Sequence, residues 1–169
     1  MQWTFAHDAL AKDTCFLHVE QSDTTQTMAR GDWLIWDATA DLAGLNNVNT
    51  NGVRVTKTGE IQSHRTAGVV ETLPVNNTTV GNIAATSRVP VFLLQSWGQH
   101  DAALVTTDGT HSTTAAISGV IMSATAGRAS GTTTAGLTAA DAAAICGFSY
   151  VVIPINQTNV AFRIHVKCM

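Results

Sequence analysis

Apolar and polar residues alternate along much of this chain, in short runs separated by glycine, asparagine, aspartate and proline. A two-residue period is the mark of strands with one buried face. In CFLHVEQ, 15–21, Phe16 and His18 fall on one face and Leu17 and Val19 on the other. VRVTK, 53–57, groups Val53, Val55 and Lys57 after an Asn51-Gly52 hairpin signal. Further strands are expected around 66–72, ended by Pro74, and around 102–106, before an Asp108-Gly109 turn. AAISGVIMSAT is another candidate, broken by Gly119. FSYVVIPI (148–155) and VAFRIHVKCM (160–169) read as a closing hairpin, in which Phe162, Ile164 and Val166 alternate with Ala161, Arg163, His165 and Lys167.

Two runs break the alternation. GDWLIWDA packs Trp33, Leu34, Ile35 and Trp36 together, and VPVFLLQSW, 89–97, is nearly all apolar. Strands of this kind need cover on both faces. Trp33 and Ile35 would face one side and Leu34 and Trp36 the other. One side would fill a barrel. The other would be covered by a neighbouring subunit, by the chain's own arm, or, within one domain, by the helix at 138–146.

That helix rests on Thr138-Ala-Ala-Asp141, which has capping-box spacing, followed by alanines and a terminating Gly147. The polar segment 73–88 and the glycine-rich stretch 124–137 are expected to be loops. Residues 1–14 have no clean period and carry Trp3 and Phe5, so they form an expected N-terminal arm lying on the body or on a neighbour, with 15–169 as the β-rich domain. Many short strands with regular turn signals give an all-β class, a small β-barrel or sandwich with one short helix.

Composition changes this picture in one respect. Charged residues make up 12% of the 169, against about 25% in ordinary soluble proteins. A surface so poor in charge is expected to be partly covered by partner subunits. With 9 Lys+Arg, 12 Asp+Glu and a net charge of −3, and no basic run, duplex nucleic acid is not an expected partner. No apolar run is long enough for a membrane span, and the first residues lack the pattern of a signal peptide. Cys15, Cys146 and Cys168 are widely spaced and read as reduced thiols of a protein made in the cytosol.

Candidate chemistry is thin. Ser96, His100 and Asp101 lie close in SWGQHD, but they lack a nucleophile elbow, and the stretch reads as a hairpin corner with Trp97 packed and Gly98 bending the chain. Arg30-Gly31-Asp32 spells a receptor-binding tripeptide but runs straight into a strand. The six histidines have no metal-binding spacing. Asp101 and Asp108 read as turn residues, and Gly127–Gly131 lacks the P-loop and dinucleotide patterns. No catalytic residue, metal or cofactor is expected.

GDWLIWD, RTAGVVE, LLQSWGQHDAALV, GFSYVVIPI and AFRIHVKCM, in that order, resemble the capsid decoration (cement) proteins of tailed bacteriophages over roughly 29–169. The motifs are short and apolar. The resemblance implies a small barrel or β-tulip-like fold, usually a homotrimer, seated on the capsid surface where subunits of the major capsid protein meet. It implies a structural virion protein, made in the host cytoplasm, that reinforces the expanded head and is not an enzyme. Trp3, Phe5, Trp33, Trp36 and Trp97 are then the expected interface residues, since large aromatics suit the centre of an interface. A head-fibre base or tail component, and a carbohydrate-binding β-domain using Trp97, remain the other readings.

Overall fold

The computed structural model describes residues 3–7, 13–21, 26, 28–37, 53–57, 65–72, 79–80, 91–107, 119–132 and 139–168. The strands are β1 (Trp3–His7), β2 (Asp13–Gln21), β3 (Met28–Ala29), β4 (Trp33–Trp36), β5 (Val53–Thr56), β6 (Thr66–Thr72), β7 (Thr79–Val80), β8 (Val91–Val105), β9 (Gly119–Met122), β10 (Ala129–Gly131), β11 (Gly147–Ser149) and β12 (Val160–Lys167). One short helix, α1 (Ala139–Ala144), lies between β10 and β11.

Five strands close a barrel in the order β2–β5–β4–β6–β8 and back to β2. The β2–β5 pair is parallel and the rest are antiparallel. Its interior collects the alternating residues Leu17, Val19, Leu34, Val55, Val70 and Leu94, with Met28 and Ala67. A second circuit of pairings runs β8–β10–β9–β11–β12 and back to β8. Its one parallel contact is Ala129 against Val105. β8, 15 residues long, is the strand that both circuits share.

Several expectations are corrected here. The run SWGQHD is no hairpin corner: β8 continues through it, with Gly98 at φ 97°. Ser96 is the extra residue of a bulge between Phe16↔Gln95 and Cys15↔Trp97. A second bulge sets Asp101 and Ala102 between the partners His100↔Ile164 and Ala103↔Phe162. Bulges shift side chains from one face to the other. Accordingly the buried positions are Leu94, Ser96, Gly98 and His100, with Gln95 buried as well beside the first bulge, and then the odd-numbered residues from Ala103 to Thr107.

GRASG is likewise not simply a loop, since Ala129–Gly131 is β10, paired with β9 and β8. In the polar insert, Thr79–Val80 pairs with Met28–Ala29 as a separate two-stranded sheet. Gly147 is not a helix cap but the first residue of β11, packed where a Cβ would stand 2.7 Å from the His165 carbonyl oxygen. β11 ends at Ser149, so most of FSYVVIPI is not strand. The expected turns at Asn51-Gly52 and Asp108-Gly109, and the cap at Thr138, lie outside the described residues.

The 1–14 segment supplies β1, which lies antiparallel along the chain's own β2 from Trp3↔Leu17 to His7↔Asp13. The side chains of Trp3 and Phe5 lie outside the described residues.

β4 explains its own composition. Leu34 enters the barrel core, and Trp36 packs half-buried against the same cluster. Trp33 and Ile35 point the other way, into a second core with Val69, Ala103, Val105, Val120, Met122, Ile153, Ile164 and Val166. Both faces are therefore covered by strands of one chain. Trp33 has no exposed surface in the chain, where it fills the second core. Gly31 lets β4 begin this close to β8: its φ is 91°, and a Cβ there would meet the Ala102 carbonyl oxygen at 2.1 Å.

Candidate interaction surface

The polar residues singled out in the sequence are mostly structural. Asp32, the last residue of the tripeptide, is fully buried. Its carboxylate accepts from the Ala29 amide at 2.8 Å, from Lys57 Nζ at 3.0 Å and from Arg128 Nη1. A carboxylate removed from water is held by such charge-assisted donors. Ser96 is buried and donates its hydroxyl to the Cys15 carbonyl at 3.4 Å. Asp101 is exposed and pairs with Arg163 at 3.1 Å. The two do not converge with His100 into a triad.

His100 is committed elsewhere. Its Nδ1 accepts the Ala102 N–H at 3.1 Å, so Nε2 carries the proton and lies 2.8 Å from Glu71 Oε2. Arg30 adds a second donor to Glu71 at 3.0 Å. The hydrogen bond from His100 and the Arg30 charge hold the Glu71 carboxyl down at about 2, against the opposing effect of burial. Burial pushes the Cys146 thiol up to about 12 and raises Cys168 as well. A raised thiol pKa leaves less of the thiolate, the nucleophilic form, at neutral pH. Among the described residues no group of His, Cys, Asp and Glu is placed to hold a metal ion, and no helix is long and apolar enough to cross a membrane.

Among the described residues, the exposed large apolar side chains lie around β11 and β12. From Tyr150 to Asn159 the chain leaves β11 and returns to β12 without regular structure. Tyr150, Val151, Val152, Ile155 and Val160 are exposed, Val152 by 49% and Ile155 by 51%. Exposed apolar side chains neighbouring in sequence make this segment a candidate contact surface. The segment is nonetheless tied down. Ile153 is anchored in the core. The Thr107 hydroxyl donates to the Pro154 carbonyl and accepts from the Gln157 amide, each at 2.9 Å. The Asn159 amide donates to the Thr106 hydroxyl at 3.1 Å, and the Asn159 side chain accepts from Arg128. Asn156 and Asn159 take positive φ values of 58° and 61°, which their short polar side chains tolerate.

Beside it, the outer sides of β8, β12 and β11 form one face. The pairings Lys167↔Trp97, His165↔Gln99 and Phe148↔His165 bring these side chains together. The Trp97 and His165 rings meet edge to face at 5.3 Å and 83°. Tyr150 meets His165 at 6.3 Å, and its hydroxyl lies 3.1 Å from His165 Nδ1. Lys167 Nζ stands 5.8 Å above the Phe148 ring. Burial holds His165 below the ordinary histidine range.

Of the five expected interface residues, this surface holds Trp97, half-buried on β8; Trp36 lies against the barrel core and Trp33 inside the second core. Tyr150, Val151, Val152 and Ile155 were missed because an apolar FSYVVIPI reads as buried strand. Pro154 and Asn156, which interrupt a strand, were the available signal. No family model matches the chain, and no curated protein or solved structure matches it either.

Proposed function

We propose that this chain is a structural virion protein, a capsid decoration protein that seats on the outside of a phage head where major capsid protein subunits meet and stabilises the expanded shell. Its working form in this reading is a homotrimer at the capsid surface, assembled after synthesis in the host cytoplasm, and it carries no enzymatic activity. The observation that supports it is the tethered apolar segment from Tyr150 to Val160. Docking through a segment already held by hydrogen bonds loses little conformational freedom, so more of the burial energy becomes affinity. Fully burying an aliphatic side chain contributes about 1.5–3 kcal/mol, and half-exposed Val151, Val152 and Ile155 would each give part of that. Repetition over a symmetric shell multiplies such shallow contacts. The all-β barrel and the sparse charge agree with the resemblance of the strand motifs.

The test is the copy number of the protein in purified particles relative to the shell protein, by quantitative mass spectrometry. Abundance comparable to the shell subunit is expected. A copy number far lower points to a fibre or tail part, and absence from particles overturns the reading.

A further inference from the structure

Cys15, Cys146 and Cys168 are far apart in the sequence but are joined by hydrogen bonds around the Ser96 bulge. Ser96 donates its hydroxyl to the Cys15 carbonyl at 3.4 Å, and its own carbonyl accepts the Cys168 amide at 2.9 Å. Lys167 donates its amide to the Cys146 carbonyl at 2.8 Å, and the Cys168 thiol donates to that same carbonyl at 3.4 Å. Cys146 and Cys168 also share a core. Cys146 is buried with Val120 and Val166, and half-buried Cys168 packs against the same cluster.

From this geometry we infer that Cys146 and Cys168 are a dithiol site that oxidises to an intramolecular disulfide, stapling the end of β12 to the start of β11. The Lys167–Cys146 bond holds the two backbones one strand spacing apart, about 4.8 Å, and a disulfide bridges Cα separations of about 4.4–6.8 Å. Cys15 is not a competing partner. It pairs with Trp97 on β8, and Trp97 pairs with Lys167 on β12, so a whole strand stands between Cys15 and Cys168. Two strand spacings, about 9.6 Å, are too wide for a bridge.

The oxidant is a small-molecule disulfide such as oxidised glutathione. Cys168, the more exposed of the two, attacks it as the thiolate, forms a mixed disulfide and releases one glutathione thiolate. Cys146 then attacks the Cys168 sulfur and releases the second. Two protein thiols become one disulfide, one glutathione disulfide becomes two thiols, and the two protons pass to the departing thiolates. Burial disfavours both protein thiolates, so the reaction is slow at neutral pH and faster as pH rises. The two cysteines stand 22 residues apart. The loop they close contains β11, the exposed segment from Tyr150 to Val160, and β12. A chain that moves from a reducing to an oxidising compartment acquires this clamp. The inference does not depend on the shell reading.

The experiment incubates the full chain, reduced and freed of reductant, with oxidised glutathione at about pH 8.5, where ordinary thiols ionise. The products are quenched in acid, alkylated in guanidinium and weighed. Untreated chain should take an alkyl group on each of its three cysteines. Treated chain should take one, on Cys15, and its digest should hold a fragment pair joined through Cys146 and Cys168. The melting temperature should rise by roughly 5–10 °C, because closing a loop of this length constrains the unfolded chain, and should fall back after dithiothreitol. Cys15→Ser should still form the bridge, and Cys168→Ser should form none. Full alkylation after a day of oxidation, a stable glutathione adduct at Cys168 without the cross-link, or a bridge that includes Cys15 overturns the assignment. A Cys146–Cys168 bridge that fails to raise the melting temperature also overturns it, since the native backbone then does not accept the staple.

Discussion

Lys57 Nζ lies 3.0 Å from the Oδ2 of Asp32, a carboxylate with no solvent exposure, and Arg128 closes on its other oxygen. Three elements meet there: the start of β4, the end of β5 and the turn before β10. The cluster ties the barrel to the second circuit. Asp32→Asn leaves two cations partly buried without their anion, and breaking a buried pair on one side costs about 3–5 kcal/mol. Lys57 and Arg128 keep some exposure, 20% and 13%, so about 3 kcal/mol is expected in urea denaturation. A loss within the range of a surface substitution would show that water replaces the carboxylate.

Glu71 links the folded state to acid. Its carboxyl is held at about 2, below the ordinary 4.5, by the His100 hydrogen bond and Arg30. A depressed carboxyl adds stability that is complete above its unfolded value and is lost as pH falls through the folded one. Stability should therefore drop between pH 4.5 and 2. Glu71→Gln should be less stable at neutral pH and show a flatter fall across that window, measured by denaturation at stepped pH. Parallel profiles for both proteins would rule out this pair as the acid-sensitive element.

Trp33 should behave as a core residue and not as a contact residue. Trp33→Ala is expected to destabilise by about 3–5 kcal/mol, and the loss should be independent of protein concentration. Its indole N–H is buried with no partner among the described residues, so Trp33→Phe removes an unpaired donor along with some volume. It should cost well under half as much. A concentration-dependent melt for Trp33→Ala alone would return this residue to an interface.

Val152→Asp and Ile155→Asp place charge on the exposed segment without entering the core. Each should change stability by no more than about 0.5 kcal/mol, as surface substitutions do. Each should also reduce occupancy on purified particles several-fold in a sedimentation assay. Wild-type occupancy by both variants would remove the segment from docking.

The alternating strands were legible because their causes are local. In β2, β5 and β12 every second residue needs cover, and Leu17, Val55 and Ile164 are buried as the period requires, whereas β6 is covered on both faces, with Val69 in one core and Val70 in the other. The candidate surface was far less legible. Trp97 was visible as a large aromatic, but the aliphatic residues of 151–155 look like core until their positions in three dimensions are known.

From local pattern alone, the sequence determines an all-β chain with one short helix, few charges and an apolar β4 that must be covered twice. The tertiary structure alone decides what covers it. Pairings such as Trp33↔Val69 and Leu17↔Leu94 join residues far apart in the chain, and no local period encodes which strands meet. The same holds for the Asp32–Arg128 pair and for the bulges that carry β8 past Gly98 from one core to the next. Side-chain preferences act over a few residues; barrel closure is settled by which distant strands can share their hydrogen bonds while burying both faces of β4.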